Sequence, residues 1–349
     1  MRAFDYSKNI HCTIDNEILS YIAKIHEYKG KQELYVRQKK DKLEKLVEIA
    51  KVQSTESSNK IEGIVSTNTR IKQLVADKTT PRNRDEKEIM GYRDVLNIIH
   101  ESFEYIPITP SYILQLHNYL YKYSDSSFGG KFKNFQNYIV ANHQDGSSEV
   151  LFTPLSPMET PIAMEWLCET FNKAIEEEKI DPLLLIPAFI KDFLCIHPFN
   201  DGNGRMSRLL TTLLLYRSGF FVGKYISLEK KIERTKDVYY QVLQESSKNW
   251  HEDSNDNTPF TKYLLGTILA AYRDFEDRLS LIDEKLLSSE MVEKACKGRI
   301  GKFTKSDIME ECPSIGKSSV ENALKALVEQ GKIERLGSGK ATFYVRKTI

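Results

Sequence analysis

The sequence predicts a mainly α chain with one β-hairpin near its middle and a winged helix-turn-helix at its C-terminal end. Three observations carry this. Apolar residues recur at steps of three and four from Asn16 to Arg217; the pattern turns strand-like only between Gly129 and Pro154; and an amphipathic helix near the end runs straight into two short strand-like segments. At 349 residues, with 40% hydrophobic and 28% charged side chains, the chain has material for two or three domains and a sizeable core. The formal charge of +1 excludes a polycation built to coat nucleic acid or anionic membrane, so any basic surface must be local.

From Asn16 to about Ile64, Leu34, Leu43, Leu46, Val47, Ala50 and Val52 predict a short helix followed by one long amphipathic helix. After Pro81, Ile89, Tyr92, Leu96, Ile99 and Phe103 form one stripe, and a further helix starts after Pro110. Tyr138 to Val140 and Val150 to Phe152, around Asp145-Gly146, read as a hairpin. Helical patterning returns at Pro161 and continues through Asp181 to Arg217, with one interruption at His197 to Gly204.

Residues 251–258 are polar and rich in turn formers, and a connecting helix follows. Ser318 to Glu321 reads as a capping box, with Val320, Ala323, Leu324, Leu327 and Val328 as an apolar face ending at Gly331. Ile333 to Leu336 and Ala341 to Val345 read as the strands of a wing. The expected divisions are a helical region over 1–105, a core over 106–250, a loop and connecting helix over 251–285, and the winged helix over 286–349.

The longest uncharged apolar run, Leu183 to Ile190, is far shorter than a membrane span, and the N-terminus lacks an apolar signal core. The five cysteines are scattered without metal-site spacing. They read as reduced thiols of a cytoplasmic protein with no membrane partner.

The interruption is the segment most suited to chemistry. Pro198 ends one helix, and Gly202 and Gly204 around Asn203 let backbone N–H groups converge at the start of the next, an arrangement that binds phosphate. Arg205 and Arg208, three apart, can clamp phosphate oxygens, and Asp201 could complete a magnesium shell with phosphate and water. His197 alone there has an ordinary pKa, ~6.5, suited to proton abstraction near neutrality. Residue by residue, a plain turn and a helix terminator explain the same letters; the combination points to chemistry.

His197-Pro198-Phe199-Asn200-Asp201-Gly202-Asn203-Gly204-Arg205-Met206-Ser207-Arg208 resembles the signature of the Fic family, HPFx(D/E)GNGRxxR, at every specified position. The resemblance implies a Fic-type helical core with a hairpin flap, and protein adenylylation. In that reaction a Ser, Thr or Tyr hydroxyl of a target protein, the chain itself among the candidates, attacks the α-phosphate of Mg-ATP and pyrophosphate leaves. It makes His197 the base, Asp201 the Mg2+ ligand, Gly202, Asn203 and Gly204 the anion cradle, Arg205 and Arg208 the clamps, and puts Ser207 in the same nucleotide site. Gly204 points to the nucleotidyl-transfer branch, since kinase-like relatives carry Lys there.

Ser58-Asn59-Lys60-Ile61-Glu62-Gly63 is similar to the family's inhibitory motif, (S/T)xxxE(G/N), which makes about 54–63 an inhibitory helix with Ser58, Glu62 and Gly63 as its functional residues. The hairpin occupies the place of the flap that holds the target segment, and Tyr239-Tyr240 resembles the wall of the adenosine pocket. Lys133 stands where many relatives have Arg, and Ser247 where some have an adenine-contacting Asn.

Residues 297–349 hold eleven Lys and Arg against six Asp and Glu, net +5. Lys302, Lys305, Lys317, Arg335, Lys340, Arg346 and Lys347 could meet phosphates of duplex DNA, with Ser319, Asn322 and Lys325 heading a recognition helix. Glu321 and Glu329 on the same helix speak for protein docking or a homodimer instead. The alternatives to a transferase are a DNA-binding transcriptional regulator whose Fic core senses nucleotide, and an enzyme that removes AMP.

Overall fold

The computed structural model describes residues 4–38, 40–124, 127–142, 147–283, 288–299, 301–312 and 315–347. They form two units, one of 1–33 with 50–271 and one of 34–49 with 272–349.

Where one short and one long helix are expected near the N-terminus, two of similar length occur, α1 (Asn16–Gln38) and α2 (Lys40–Ile61). A short helix that the pattern reading missed follows, α3 (Asn68–Val75), started by the Thr67 side chain accepting from Arg70 N–H. The two expected helices are α4 (Arg84–Ser102), capped by Asn83, and α5 (Pro110–Leu120), capped by Thr109 with Pro at its first position. The stripe on α4 is buried at Ile89, Tyr92, Leu96 and Ile99.

The hairpin is present as β1 (Ile139–Asn142) and β2 (Ser148–Phe152), antiparallel with Val140 opposite Val150 and an irregularity between Ile139 and Val140. Its Asp145-Gly146 turn lies outside the described residues. The next helical run has a second break. α6 (Thr160–Glu177) stops at Glu178, φ 51°, and α7 (Pro182–Ile196) restarts with the Asp181 carboxylate accepting from Leu183 N–H at 2.8 Å. Asp-Pro is itself a start signal, which explains the break.

α7 is apolar on nearly every face and buried along its length, so it forms the centre of the first unit, with α6 and α8 (Asn203–Arg217) packed against it. Its two charged residues, Lys191 and Asp192, are fully buried; Asp192 accepts from Tyr6 hydroxyl at 2.8 Å and Trp250 Nε1 at 2.7 Å. α9 (Leu228–Arg234), α10 (Lys236–Ser247) and α11 (Thr258–Asp283) follow. Among the described residues no helix is long and apolar enough to cross a membrane, and none of the five cysteines is in a disulfide.

The second unit runs α12 (Ser288–Lys297), β3 (Lys302–Phe303), α13 (Lys305–Glu311), α14 (Lys317–Glu329), β4 (Ile333–Leu336) and β5 (Phe343–Arg346), with strand order β3-β5-β4. Val292, Phe303, Ile308, Val320, Leu324 and Ile333 pack its core. The capping box is not at Ser318: α14 begins at Lys317 after Gly316 with no side-chain cap, because Ser318 already lies within the helix. The box caps α13 instead, where Thr304 and Asp307 bond reciprocally. The last strand starts at Phe343 rather than Ala341, since Gly339–Ala341 forms a 3-10 turn.

Candidate active site

The interrupted segment joins the buried ends of α7 and α8. α7 ends where His197 turns left-handed, φ 51°, while its N–H still donates to the Phe193 carbonyl at 2.9 Å. α8 begins after Gly202, φ 86°, where an added Cβ would sit 3.1 Å from the Tyr121 ring. Asn203 ties the loop from inside, accepting from Phe199 N–H at 2.9 Å and donating to the Phe199 carbonyl at 2.7 Å. Its side chain is thus spent on holding the loop.

His197 lines a cleft of about 1090 Å3, together with Asp201 to Arg205, Arg208, Glu62, Tyr239, Tyr240 and both hairpin strands. Its Nδ1 is 3.2 Å from the Leu194 carbonyl oxygen. A carbonyl only accepts, so Nδ1 holds the proton and Nε2 keeps a lone pair. Burial pushes the imidazole down to about 4; the Leu194 carbonyl opposes this and the Lys133 ammonium adds to it. The ring is neutral at neutral pH.

Asp201 accepts at Oδ1 from Gly202 N–H at 2.7 Å, while Oδ2 lies 3.9 Å from both Arg84 and Arg205 and the side chain is 47% exposed. Among the described residues no group of three or more His, Cys, Asp or Glu gathers as a protein-built metal site. One open carboxylate fits a magnesium ion that draws its other ligands from a polyphosphate and water.

His117, which no local pattern singles out, supports this acid. Its ring stacks on Phe199 with centroids 3.7 Å apart. Nδ1 accepts from Gly130 N–H at 3.1 Å, so Nε2 donates to the Asp201 carbonyl at 3.0 Å. Burial holds it too at about 4.

The two arginines answer to different helices. Arg205, 1% exposed, pairs with Glu88 of α4 at 2.7 Å and donates to the Tyr121 hydroxyl at 2.9 Å. Arg208, 3% exposed, donates from Nε to Ser58 Oγ at 2.8 Å, and from its terminal nitrogen to the Ser58 carbonyl at 2.9 Å and Glu62 Oε1 at 2.7 Å. Ser207 donates to the Gly204 carbonyl at 2.7 Å.

Glu62 reaches this place because α2 ends in a Schellman motif: Gly63, φ 81°, donates to the Lys60 carbonyl and Ile64 to that of Asn59, both at 3.0 Å. A carboxylate at a helix C-terminus opposes the dipole of its own helix. Here it is answered from outside, by Arg208 at 2.7 Å. A Cβ on Gly204 would collide with Glu62 Oε1. The carboxylate therefore lies against the first turn of α8, bonded to Arg208.

Tyr239 is buried and Tyr240 half exposed, their rings 5.4 Å apart on the cleft wall. Ser247 also lines the cleft, donating to the Leu243 carbonyl at 2.7 Å. In the second unit, the basic side chains named for DNA are partly paired with acids: Lys305 with Glu321 at 2.6 Å and Lys325 with Glu329 at 3.9 Å.

Residues 107–215 match the Fic/DOC family model. The chain is 26% identical over 211 residues to protein adenylyltransferase fic-1 of Caenorhabditis elegans, covering 59% of this chain and 37% of that protein. It is 30% identical over 141 residues to protein adenylyltransferase Fic of Drosophila willistoni, covering 39% and 25%. The chain thus spans about a quarter to a third of the length of these curated relatives. Among solved structures, a Fic family protein from Desulfovibrio desulfuricans shares the fold with TM-score 0.63 at 21% identity, covering 97% of this chain and 98% of that one. A Fic domain containing signaling protein from Bacteroides thetaiotaomicron does so at 0.59 and 23%, covering 74% and 95%. The intact loop lies within the matched segment, so residues 107–215 carry a Fic-type domain, and the fold is shared with solved Fic proteins.

Proposed function

We propose that this protein is a protein adenylyltransferase that moves AMP from Mg-ATP to a Ser, Thr or Tyr hydroxyl of a target protein and is held back by its own Glu62. The observation that carries the reading is the His197 ring, a neutral base with Nδ1 bonded to Leu194 and Nε2 unprotonated, on the same cleft as the α8 N-terminus.

The target hydroxyl oxygen attacks the α-phosphorus while its proton passes to His197 Nε2. The bond from the α-phosphorus to the bridging oxygen breaks, and pyrophosphate leaves with that electron pair. The α8 main chain and Arg208 hold the polyphosphate, which is mostly what such transfer asks of a protein. Asp201 would hold magnesium, whose charge offsets that of the phosphates. Tyr239 and Tyr240 supply faces for the adenosine, and the hairpin offers an edge for the target segment.

In the autoinhibited arrangement Arg208 is occupied by Glu62, whose carboxylate lies against Gly204 in the first turn of α8. A polyphosphate must displace that carboxylate to lie in line for attack. The test is incubation with ATP labelled at the α-phosphate: a transferase labels protein covalently, whereas a nucleotide-sensing regulator leaves it unlabelled, and an AMP-removing enzyme releases label from modified protein. The sign of the result on protein decides between them. Net +5 on the terminal unit motivates a duplex-DNA test by salt titration, in which binding to DNA falls steeply with salt.

A further inference from the structure

The segment just before the hairpin is bonded to every residue of the loop from Ile196 to Asn200. Lys133 N–H donates to the Pro198 carbonyl at 2.8 Å, and Lys133 Nζ to the Ile196 carbonyl at 2.9 Å and to Asn137 Oδ1 at 3.0 Å. Asn137 Nδ2 donates to the Phe199 carbonyl at 3.0 Å and lies 3.4 Å from that of His197. Asn134 N–H donates to Asn200 Oδ1 at 3.3 Å, and Asn200 Nδ2 to Asn134 Oδ1 at 2.9 Å.

These bonds answer a specific need. When His197 turns left-handed, α7 stops and its last carbonyls lose their partners within the helix. Lys133 takes up that of Ile196, and in the loop beyond Asn137 reaches the carbonyls of Phe199 and, more distantly, His197. Lys133 is 3% exposed, and its ammonium is met by oxygens of neutral groups, an expensive burial that a well-formed loop alone does not require. Burial pushes the Lys133 ammonium down to about 8, with Glu159 opposing, so it remains charged at neutral pH.

We infer that Lys133 is a positioning residue for the transfer: through the Ile196 carbonyl and Asn137 it holds the His197 main chain in its left-handed turn and keeps a positive charge beside the imidazole. The inference rests on the reading of His197 as the base. The charge has a definite sign of effect. A cation beside the ring disfavours the imidazolium, so it helps to keep Nε2 unprotonated; Glu62 and Asp201 act in the opposite direction.

The experiment has two readouts, both on the full chain. In a Glu62→Gly background, labelling from ATP gives kcat and KM; in parallel, the His197 imidazole is titrated by NMR without nucleotide, its resonance assigned by its loss in His197→Ala. Lys133→Met is expected to lower kcat by ~100-fold, the scale for a misplaced reacting group, with KM for ATP nearly unchanged. It is also expected to move the His197 titration to higher pH. Lys133→Arg, which keeps charge and donors, should restore both in large part. Asn137→Ala should lower kcat and leave the titration near the parent value. If Lys133→Met keeps the parent titration, or lowers kcat no more than its KM and thermal midpoint account for, the inference is overturned. Should Lys133→Met fail to fold, a Lys133→Arg protein with displaced His197 titration and parent kcat would also overturn it. If the parent background labels nothing, the transferase reading fails, and the titration still decides the placement of Lys133.

Discussion

Gly204 and Glu62 compete for one space: a Cβ on Gly204 would collide with Glu62 Oε1. Gly204→Ala should therefore dislodge the Glu62 carboxylate from Arg208, leaving a buried guanidinium short of a partner. In the parent the change should destabilise by ~1–3 kcal/mol. In a Glu62→Gly background only the Arg208 guanidinium, 3.3 Å from the added Cβ, must give, and alanine, a better helix former, should cost little or stabilise by up to ~1 kcal/mol. Urea midpoints of the four proteins check this double-mutant cycle. Additive effects would mean that the two side chains do not meet.

The C-terminal end of α2, proposed to be inhibitory, has a second anchor on α9 and α10. Ser57 donates to Glu233 at 2.7 Å, Lys60 pairs with Glu233 at 2.6 Å, and Lys236 donates to the Ile61 carbonyl at 2.6 Å. Glu233 is held at about 2: burial would raise it, but Lys60, Ser57 and Lys230 outweigh that. Glu233→Gln should loosen the helix end that carries Glu62 and raise labelling by about tenfold, the equivalent of ~1.4 kcal/mol. Limited proteolysis near 54–63 should quicken in parallel. Unchanged labelling in the folded variant would leave the α9 contacts without a part in restraint.

Three histidines, His100, His117 and His197, are pushed by burial from 6.5 down to about 3, 4 and 4. Their folded pKa values lie below the unfolded one, so the unfolded chain binds more protons below 6.5. Stability should be full above that value and fall as pH drops from 6.5 toward 4. Carboxylates held low, such as Glu86 at about 2, act mainly below their ordinary 4.5; in the window from 6.5 to 4.5 the three histidines are opposed by Glu311, whose carboxyl burial pushes up. Urea midpoints across that window check the slope, and a flat profile would contradict buried neutral rings.

Asp201→Ala should raise the magnesium concentration needed for half-maximal labelling and weaken Mg-ATP binding by roughly tenfold or more, as expected when a metal's only protein carboxylate is lost. Calorimetry with and without magnesium measures it. Equal ATP affinity in both conditions would remove Asp201 from the metal.

The loop 197–208 is legible in the sequence because its groups are contiguous, and a helix start and two glycines within a few residues have few other uses. Ser58 and Glu62 are legible through their one-turn spacing, and the pairing of Glu62 with Arg208 through the joint occurrence of the two motifs; the fold adds the Ser58 bonds to Arg208. His117, Glu88 and the Lys133–Asn137 strap carry no such local mark: each acts across long stretches of chain on main-chain carbonyls or a single buried arginine. The α3 helix is too short for its period to register, and the α14 start has no side-chain cap to read.

Removal of the base tests the chemistry apart from restraint. His197→Ala in the Glu62→Gly background should abolish labelling while ATP affinity stays within about threefold, because the imidazole is absent from the phosphate clamps. Loss of ATP binding in parallel would make His197 a structural residue.

The most direct measurement is covalent labelling from α-labelled ATP by the parent, Glu62→Gly, Arg208→Ala and the double variant at saturating Mg-ATP. Glu62 holds Arg208 through a partly buried ion pair at 2.7 Å. Hydrogen bonds to charged groups contribute ~1.5–3 kcal/mol, so freeing the arginine should raise labelling by about ten- to a hundredfold. Arg208→Ala should be inactive, and the double variant equally so, since the clamp is missing in both. Labelling by a folded Glu62→Gly protein at or below the parent rate would contradict the account.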